Sequence, residues 1–414
     1  MSGKTEEKLK YLREVKDAAL SCVHCGQCRV AQWPVKGIYD VCPVYKTELT
    51  PKFEPFFARG KNVILKGLLW EDLSLSKELS EIFFQCSLCG ACEEFCFNAH
   101  NENIEFSQEK WMKQVEVFEA LRADLVEAGY ALESQTGMNK AMVELLNPYG
   151  RDNKDKEDWM SQLNFKIKDA NSEDADVLYF VGCTAALTTQ IQKVAIATAK
   201  IFNKLGIDFA VFGSKEICCG SVAMRTGDRK AFNEVAEKNA LLFKDRGIKK
   251  IVTSCAGCYR TLKKDYGKRL EGIEILHTVE FLEKYFEQNN IELKSLDIKV
   301  TYHDPCHIGR HMGLYEVPRN ILNKISTLIE MRTYREGAMC CGAGGGVKKG
   351  FPELSLEMAK NRVREAEETG VKSLVSTCPF CYRNLDDAIK ALNLDMEMID
   401  LVELILEALD KKET

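Results

Sequence analysis

Five cysteines occur twice in the second half of this chain at almost the same distances. The first set is Cys183, Cys218-Cys219-Gly220 and Cys255-Ala256-Gly257-Cys258. The second is Cys306, Cys340-Cys341-Gly342 and Cys378-Pro379-Phe380-Cys381. Matching cysteines lie 123, 122, 122, 123 and 123 residues apart, so two equivalent units each build one five-thiol site. Adjacent cysteines seldom pair with each other, because the ring they would close is strained. Taken alone, each Cys-x-x-Cys suggests a thioredoxin-like redox pair, but that leaves the Cys-Cys-Gly at its matched distance unexplained. Together the five thiols suit a metal cluster with an unusual ligand count. Gly342 and Gly344 to Gly346 let the backbone pass close to a bulky site without Cβ clashes. No Gly-Lys-Ser/Thr follows them, so they are not a phosphate loop.

A different pattern fills the N-terminal part. Cys22-Val23-His24-Cys25-Gly26-Gln27-Cys28 and Cys86-Ser87-Leu88-Cys89-Gly90-Ala91-Cys92 each bring three thiols to one tight turn. Cys42-Pro43 follows the first and Cys96 the second. This is the bacterial ferredoxin run for 4Fe–4S clusters, in which the fourth cysteine ligates the other cluster. The expected sets are therefore Cys22, Cys25, Cys28 with Cys96, and Cys86, Cys89, Cys92 with Cys42. Two departures stand out. Thirteen residues, including Trp33-Pro34, separate Cys28 from Cys42, where the run has three; they are expected to form a surface loop that leaves the site intact. Phe97 follows Cys96 where proline is usual. Structural zinc is the bland rival, but such sites take four ligands as two pairs. His24, inside the first motif, reads as a neighbour that tunes the cluster by hydrogen bonding, and His100 as a polar residue of the exit loop. Eight N-terminal cysteines and the two sets of five account for all eighteen.

The composition agrees with metal rather than disulfides. The 414 residues are 45% hydrophobic and 29% charged, with a net charge of −5, which excludes an electrostatic case for nucleic acid. No apolar run is long enough to span a bilayer, and the charged start Met1-Ser2-Gly3-Lys4 is not a secretory signal. A cytoplasmic location is expected, where a cysteine-rich chain binds metal or does catalysis.

The elements that must position these thiols follow from hydrophobic period. Asn62 to Trp70 has helical spacing and is expected to pack around the N-terminal clusters. Phe106, Trp111, Val115, Phe118 and Leu121 continue a helical pattern towards residue 148, and a polar loop is expected from Pro148 through Lys156. The charge of this stretch reads as a solvated face. From Val177 onward, short apolar strands alternate with helices. Val177–Val181, Phe209–Phe212 and Lys250–Ser254 precede the first set, and Ile298–Tyr302 and Ser373–Thr377 do the same in the second. That order implies parallel sheets with crossover helices, and puts the cysteines at the carboxyl ends of strands, where open α/β sheets place their ligands. The expected fold is α/β: a helical two-cluster ferredoxin-like domain over 1–110, a helical connector over 111–173, and two pseudo-repeated α/β units with parallel sheets over 174–295 and 296–414.

Tyr302-His303-Asp304-Pro305-Cys306-His307 and Cys340-Cys341-Gly342-Ala343-Gly344-Gly345-Gly346, with the doubled Cys-Cys-Gly, resemble the cysteine-rich domain of heterodisulfide reductase. Its fusion behind a two-cluster ferredoxin domain, over roughly residues 18–385, resembles the D-type subunit of that family. The resemblance implies two cubane 4Fe–4S clusters in the N-terminal part and two noncubane 4Fe–4S clusters on the repeats. Cys183, Cys218, Cys219, Cys255 and Cys258 would hold one, and Cys306, Cys340, Cys341, Cys378 and Cys381 the other. It implies an oxidoreductase component that reduces the disulfide of coenzyme M and coenzyme B, a reaction of methanogenesis. The same domain occurs in non-catalytic subunits that link a flavin dehydrogenase to a membrane quinone or cytochrome. A membrane cytochrome b or a flavoprotein dehydrogenase is then the expected partner, and membrane association would run through it. His303, His307, His311 and Arg310, close to Cys306, are candidates for proton supply or for binding an anionic disulfide substrate.

Overall fold

The computed structural model describes residues 9–33, 37–96 and 112–411. Phe97, His100, Phe106 and Trp111 lie outside the described residues, as does Pro34.

The chain divides into two compact units. The first combines Met1–Gly137 with Val222–Arg229 and Arg332–Arg362. Its core is helical. Leu12, Leu65, Leu68, Phe83, Phe84, Val117, Phe118 and Leu121 pack together out of water. They come from the N-terminal turns and the helices Ala58–Leu69, Lys77–Phe84 and Gln114–Glu127. The last of these starts the expected connector, yet its apolar positions are used in this core, so the unit runs past residue 110. The thirteen residues after Cys28 are not a plain loop. Val30–Trp33 (β1) and Gly37–Asp40 (β2) pair antiparallel, and the Val41 amide donates to the Arg29 carbonyl at 2.8 Å. A hairpin returns the chain close to where it left, which is how an insertion is accommodated without moving Cys42.

The second unit combines Met138–Ser221, Lys230–Met331 and Val363–Thr414 and holds two parallel sheets. One has the order β3 (Lys168–Asp169), β5 (Phe209–Val211), β4 (Val177–Tyr179), β6 (Lys250–Thr253), β7 (Glu274–His277). The other has the order β9 (Thr327–Leu328), β8 (Lys299–Tyr302), β10 (Ser373–Ser376), β11 (Glu397–Asp400). Strands β4 to β7 and β8 to β11 correspond one for one. The central strands are buried on both faces, as apolar β-branched runs in parallel sheets must be. The helices Gln192–Lys204 and Leu401–Asp410 pack together, tied by Lys193–Glu403 at 3.1 Å and Lys204–Asp410 at 2.6 Å.

Two expectations for the connector need correction. Instead of a polar loop ending at Lys156, a 3₁₀ helix runs from Asn153 to Gln162, opened by the Asp152 carboxylate accepting from the Lys154 amide. The charge is not all solvated: Glu119, Arg122, Asp124 and Lys156 are buried. Each is neutralised or hydrogen-bonded internally, the condition under which charge leaves water. Strand β3 also begins before the boundary at 174, because Lys168 and Asp169 pair with β5.

Candidate metal centres

In the first unit, Cys42, Cys86, Cys89 and Cys92 line one cavity walled by Pro43, Phe56, Phe57, Leu88 and Phe118. Leu88, between two of these thiols, takes the left-handed conformation at φ 54, which wraps the Cys-x-x-Cys turn inward. Burial pushes the Cys42 thiol up to about 12 and the Cys92 thiol well up. Such thiols become thiolates only if positive charge replaces the lost water. Two cations are already in place. Lys61 lines the cavity, bonds the Pro55 carbonyl and is 2% exposed; burial pulls its pKa down to about 8. Arg122 donates to the Phe83 and Cys86 carbonyls. Four soft donors, an apolar wall and buried ammonium and guanidinium groups fit an anionic iron–sulfur group.

The other N-terminal thiols are wetter. Cys25 is exposed and Cys22 and Cys28 half-buried. Cys28 is close enough to Cys22, Cys25 and Cys42 for each to raise its pKa, after burial as the main cause. Cys96 is half-buried just beyond the helix Ala91–Glu94. His24, exposed and at φ 56, sits in the turn between Cys22 and Cys25.

The glycine run after Cys340-Cys341 has a use that its sequence alone does not disclose. A Cβ on Gly345 would lie 2.6 Å from the Cys86 carbonyl oxygen and 2.8 Å from the Ser87 carbonyl carbon. The backbone is at φ 64 there, so glycine is needed twice over. Arg122 fastens the same contact, donating to the Gly345 and Arg225 carbonyls at 2.7 Å each. The Cys-Cys-Gly loop is thus packed directly on the backbone of the turn that carries Cys86 and Cys89.

In the second unit the thiols of the first set form a line. Cys183 and Cys218 lie close enough to shift each other's pKa, as do Cys218 and Cys219, Cys219 and Cys258, and Cys258 and Cys255. The line then crosses into the second set, from Cys255 to Cys378 and on to Cys381. Donation from Cys218 and Cys258 pulls Cys219 down to about 6. No disulfide forms among the described cysteines. A single zinc ion takes four donors, so a line of seven neighbouring thiols fits a multi-iron group better than isolated ions. Gly182, at φ 79, lets Cys258 approach: a Cβ there would sit 3.2 Å from its Sγ. Lys156, buried, bonds the Glu216 carbonyl at 2.6 Å, and the nearby Cys183 thiol helps to raise its pKa.

The strand ends hold the line together. The His277 ring bonds the Ser254 carbonyl at 3.1 Å and lies near the Thr377 backbone, the residues just before Cys255 and Cys378. Tyr179 bonds Ser254 at 3.2 Å, and its counterpart Tyr302 bonds Thr377 at 2.9 Å. Of the four polar candidates near Cys306, His303 is buried at the end of β8, its amide donating to the Val375 carbonyl at 2.8 Å. His307 and His311 pack with ring centroids 4.6 Å apart. A Cβ on Gly257 would lie 3.7 Å from both His307 Nδ1 and Cys255 Sγ, so His307 reaches the first set's loop. Arg310 is half-buried in the same turn. Cys306 is half-buried, and Cys340 and Cys341 are buried in the first unit.

Comparison with known proteins agrees with this layout. Residues 18–99 match the 4Fe-4S dicluster domain, and residues 177–263 and 300–386 each match the cysteine-rich domain. The chain is 37% identical to the D-type subunit of the dihydromethanophenazine:CoB–CoM heterodisulfide reductase of Methanosarcina mazei, over 94% of this chain and 93% of that one. The chain belongs to this family of heterodisulfide reductase D-type subunits. It is an iron–sulfur oxidoreductase component, with the expected dicluster domain followed by two cysteine-rich α/β repeats. Similarity extends, at 26% identity over 94% of this chain and 58% of the other, to the EtfAB:quinone oxidoreductase of Syntrophomonas wolfei. A crystal structure of a hypothetical protein from Helicobacter pylori shares the fold, with a TM-score of 0.57 at 12% identity, covering 100% of this chain and 74% of that one. Among the described residues no helix is long and apolar enough to cross a membrane.

Sequence reasoning missed Lys61, Arg122, Lys156, Glu216 and His277. A signal existed for the last: His277 and Asp400 are 123 residues apart, the cysteine offset. The buried cations had none, because nothing local separates them from surface charge.

Proposed function

We propose that this chain is the disulfide-reducing component of an electron-transfer complex, with the coenzyme M–coenzyme B heterodisulfide as its substrate. In this reading two cubane 4Fe–4S clusters are held by Cys22, Cys25, Cys28 with Cys96, and by Cys86, Cys89, Cys92 with Cys42. Two noncubane 4Fe–4S clusters are held by the repeated sets of five. When bound, these clusters supply one-electron transfer to a disulfide, whose reduction consumes two electrons and two protons. The observation that carries the proposal is the line of thiols from Cys183 to Cys381, which brings both repeats to one place in the second unit. The chain's own residues would position and charge that place. Lys156 offsets thiolate charge at Cys183, His277 fixes the two strand ends, and Gly345 brings the Cys340-Cys341 loop onto the Cys86 turn. His303, His307 and Arg310 are the groups proposed for proton supply and anion binding. The partner would be a membrane cytochrome b, holding this chain at the cytoplasmic face.

A second reading, favoured by the similarity to an EtfAB:quinone oxidoreductase, makes the chain a relay between a flavoprotein dehydrogenase and a membrane quinone or cytochrome. Anaerobically purified protein carrying about sixteen irons, four per cluster, should oxidise reduced viologen when given the heterodisulfide. Absence of turnover at full iron content would refute the reductase proposal in favour of the relay, and zinc without iron would refute both.

A further inference from the structure

Lys61 and Arg122 bring positive charge into an otherwise apolar part of the first unit. Lys61 is inside the cavity formed by Cys42, Cys86, Cys89 and Cys92, and no carboxylate among the described residues pairs with it. Its ammonium faces the rings of Phe83 and Phe56 at 5.4 and 5.9 Å. Besides burial, the groups that act on it are Cys86, Cys42, Arg122 and Cys92. Arg122 is wholly buried, and its hydrogen bonds all run to carbonyls, one of them that of Cys86. The nearby carboxylate of Glu119 is bonded to Arg225. Two buried cations, Lys61 without a carboxylate partner among the described residues and Arg122 sharing the charge of Glu119 with Arg225, therefore lie beside one set of thiols in an apolar wall. The other N-terminal set differs. Its Arg59 is paired with Glu54, Nε to Oε2 at 2.7 Å, Lys66 bonds the Cys22 carbonyl at 2.8 Å, and Cys25 is open to solvent, so water screens what charge there is.

We propose that Lys61 and Arg122 set the reduction potential of the centre held by Cys42, Cys86, Cys89 and Cys92, making this inner centre the acceptor of the N-terminal pair. The inference rests on the reading that these cysteines hold a 4Fe–4S cluster. Reduction adds one electron, supplied by a low-potential one-electron donor, and breaks no bond. The added negative charge is disfavoured by burial and favoured by buried cations, whose effect is largest where the effective dielectric is low. Without the two cations, the inner centre would be harder to reduce than the solvated outer one, and electrons would stall outside. With them, the electron is drawn to the centre whose Cys86 backbone carries the Gly345 loop.

The test is a redox titration of the full, cluster-loaded chain followed by electron paramagnetic resonance. The inner signal is identified as the one lost in Cys89→Ala protein. Lys61→Met and Arg122→Gln should each lower the inner midpoint potential and leave the outer one in place, with Lys61→Met and Arg122→Gln together lowering it further. Lys61→Arg should keep it near the wild-type value. Lys66→Met, at the outer set, should leave the inner midpoint unchanged. An inner midpoint unmoved by both variants at full iron content would overturn the proposal. If Lys61→Met loses the centre altogether, retention in Lys61→Arg supports a charge role and loss in both overturns it. Wild-type protein lacking cubane signals would instead defeat the underlying cluster assignment, and the proposal with it.

Discussion

Each cysteine-rich repeat buries a carboxylate behind its first cysteine, but takes it from a different place in the chain. In the first, Glu216, two residues before Cys218, accepts the Val181 and Gly182 amides at 2.8 and 3.0 Å. Lys156 from the connector sits 3.7 Å from it, with the two side chains 1% and 3% exposed. In the second, Asp304, two residues before Cys306, is gripped by both terminal nitrogens of Arg319 at 2.7 and 2.9 Å. Val181 stands where Asp304 would be, and Ala338 where Glu216 would be. The thiol spacing is held to within one residue while the charges behind it have been rearranged. The difference has a chemical side. Lys156 also reaches the Cys183 thiol, whereas Arg319 is bound to Asp304 and Glu330. The first repeat puts a cation on a proposed ligand; the second uses its cation for structure.

The largest effect should come from the thiols themselves. Cys219→Ala and Cys341→Ala should each abolish one noncubane signal, leave the other and both cubane signals, and remove about four of about sixteen irons. Loss of both noncubane signals from either change would mean that the two repeats share one centre. Next is Glu216→Ala, which strands a buried ammonium and two amides and should cost about 3–5 kcal/mol in chemical denaturation. It should also perturb the first centre selectively, through Lys156 and Cys183. Arg319→Met strands Asp304 and should cost about 3 kcal/mol with both noncubane spectra unchanged. Equal spectral effects from the two variants would erase the distinction between the repeats.

The fold and the grouping of the thiols were legible because both depend on period. The repeated thiol spacing is visible in the sequence itself, and strand runs such as Lys250–Thr253 and Ser373–Ser376 announce themselves by being apolar on both faces. The charges were not legible. Lys156 stands among solvated residues such as Asp155 and Glu157, and only the packing of the Asn153–Gln162 helix turns it inward. The hairpin after Cys28 was hidden for a related reason: Val30–Trp33 is a strand only because Gly37–Asp40 returns beside it. Gly344 and Gly345 make room for the Cys86-Ser87 backbone rather than for a bulky group, and Gly346 makes room for the side chains of Thr226 and Gln135.

The repeat carries a finer contrast in His277 and Asp400, which open equivalent helices with capping boxes closed by Glu280 and Glu403. Burial lowers His277 to about 4, so the folded chain keeps it neutral while the unfolded chain protonates it below about 6.5. Stability should therefore fall as pH drops below about 6.5, by up to about 3 kcal/mol at pH 4. His277→Asn keeps a capping side chain and removes the titration. Urea midpoints of wild type should decline from pH 7 to 5.5, and those of the variant should decline less. Parallel curves would show that His277 does not carry the dependence.

Asp400 should behave in the opposite sense. Burial raises its pKa well above the usual range, with Glu403 and Cys378 adding to the rise and Lys193 opposing it. Its Oδ1 accepts the Val402 amide at 3.1 Å, while Oδ2 is buried without a hydrogen-bond partner. The folded state thus retains a proton that the unfolded state releases above about pH 4, and stability falls as pH rises from there towards the folded pKa. Asparagine has the shape of the protonated acid and keeps the acceptor for Val402. Asp400→Asn should lie within about 1 kcal/mol of wild type at pH 5 and be the more stable of the two at pH 8. If wild type is instead the more stable at pH 8, Asp400 is ionised in the fold, and the repeats differ, with a charge at the head of the helix after β11 and none at the head of the helix after β7.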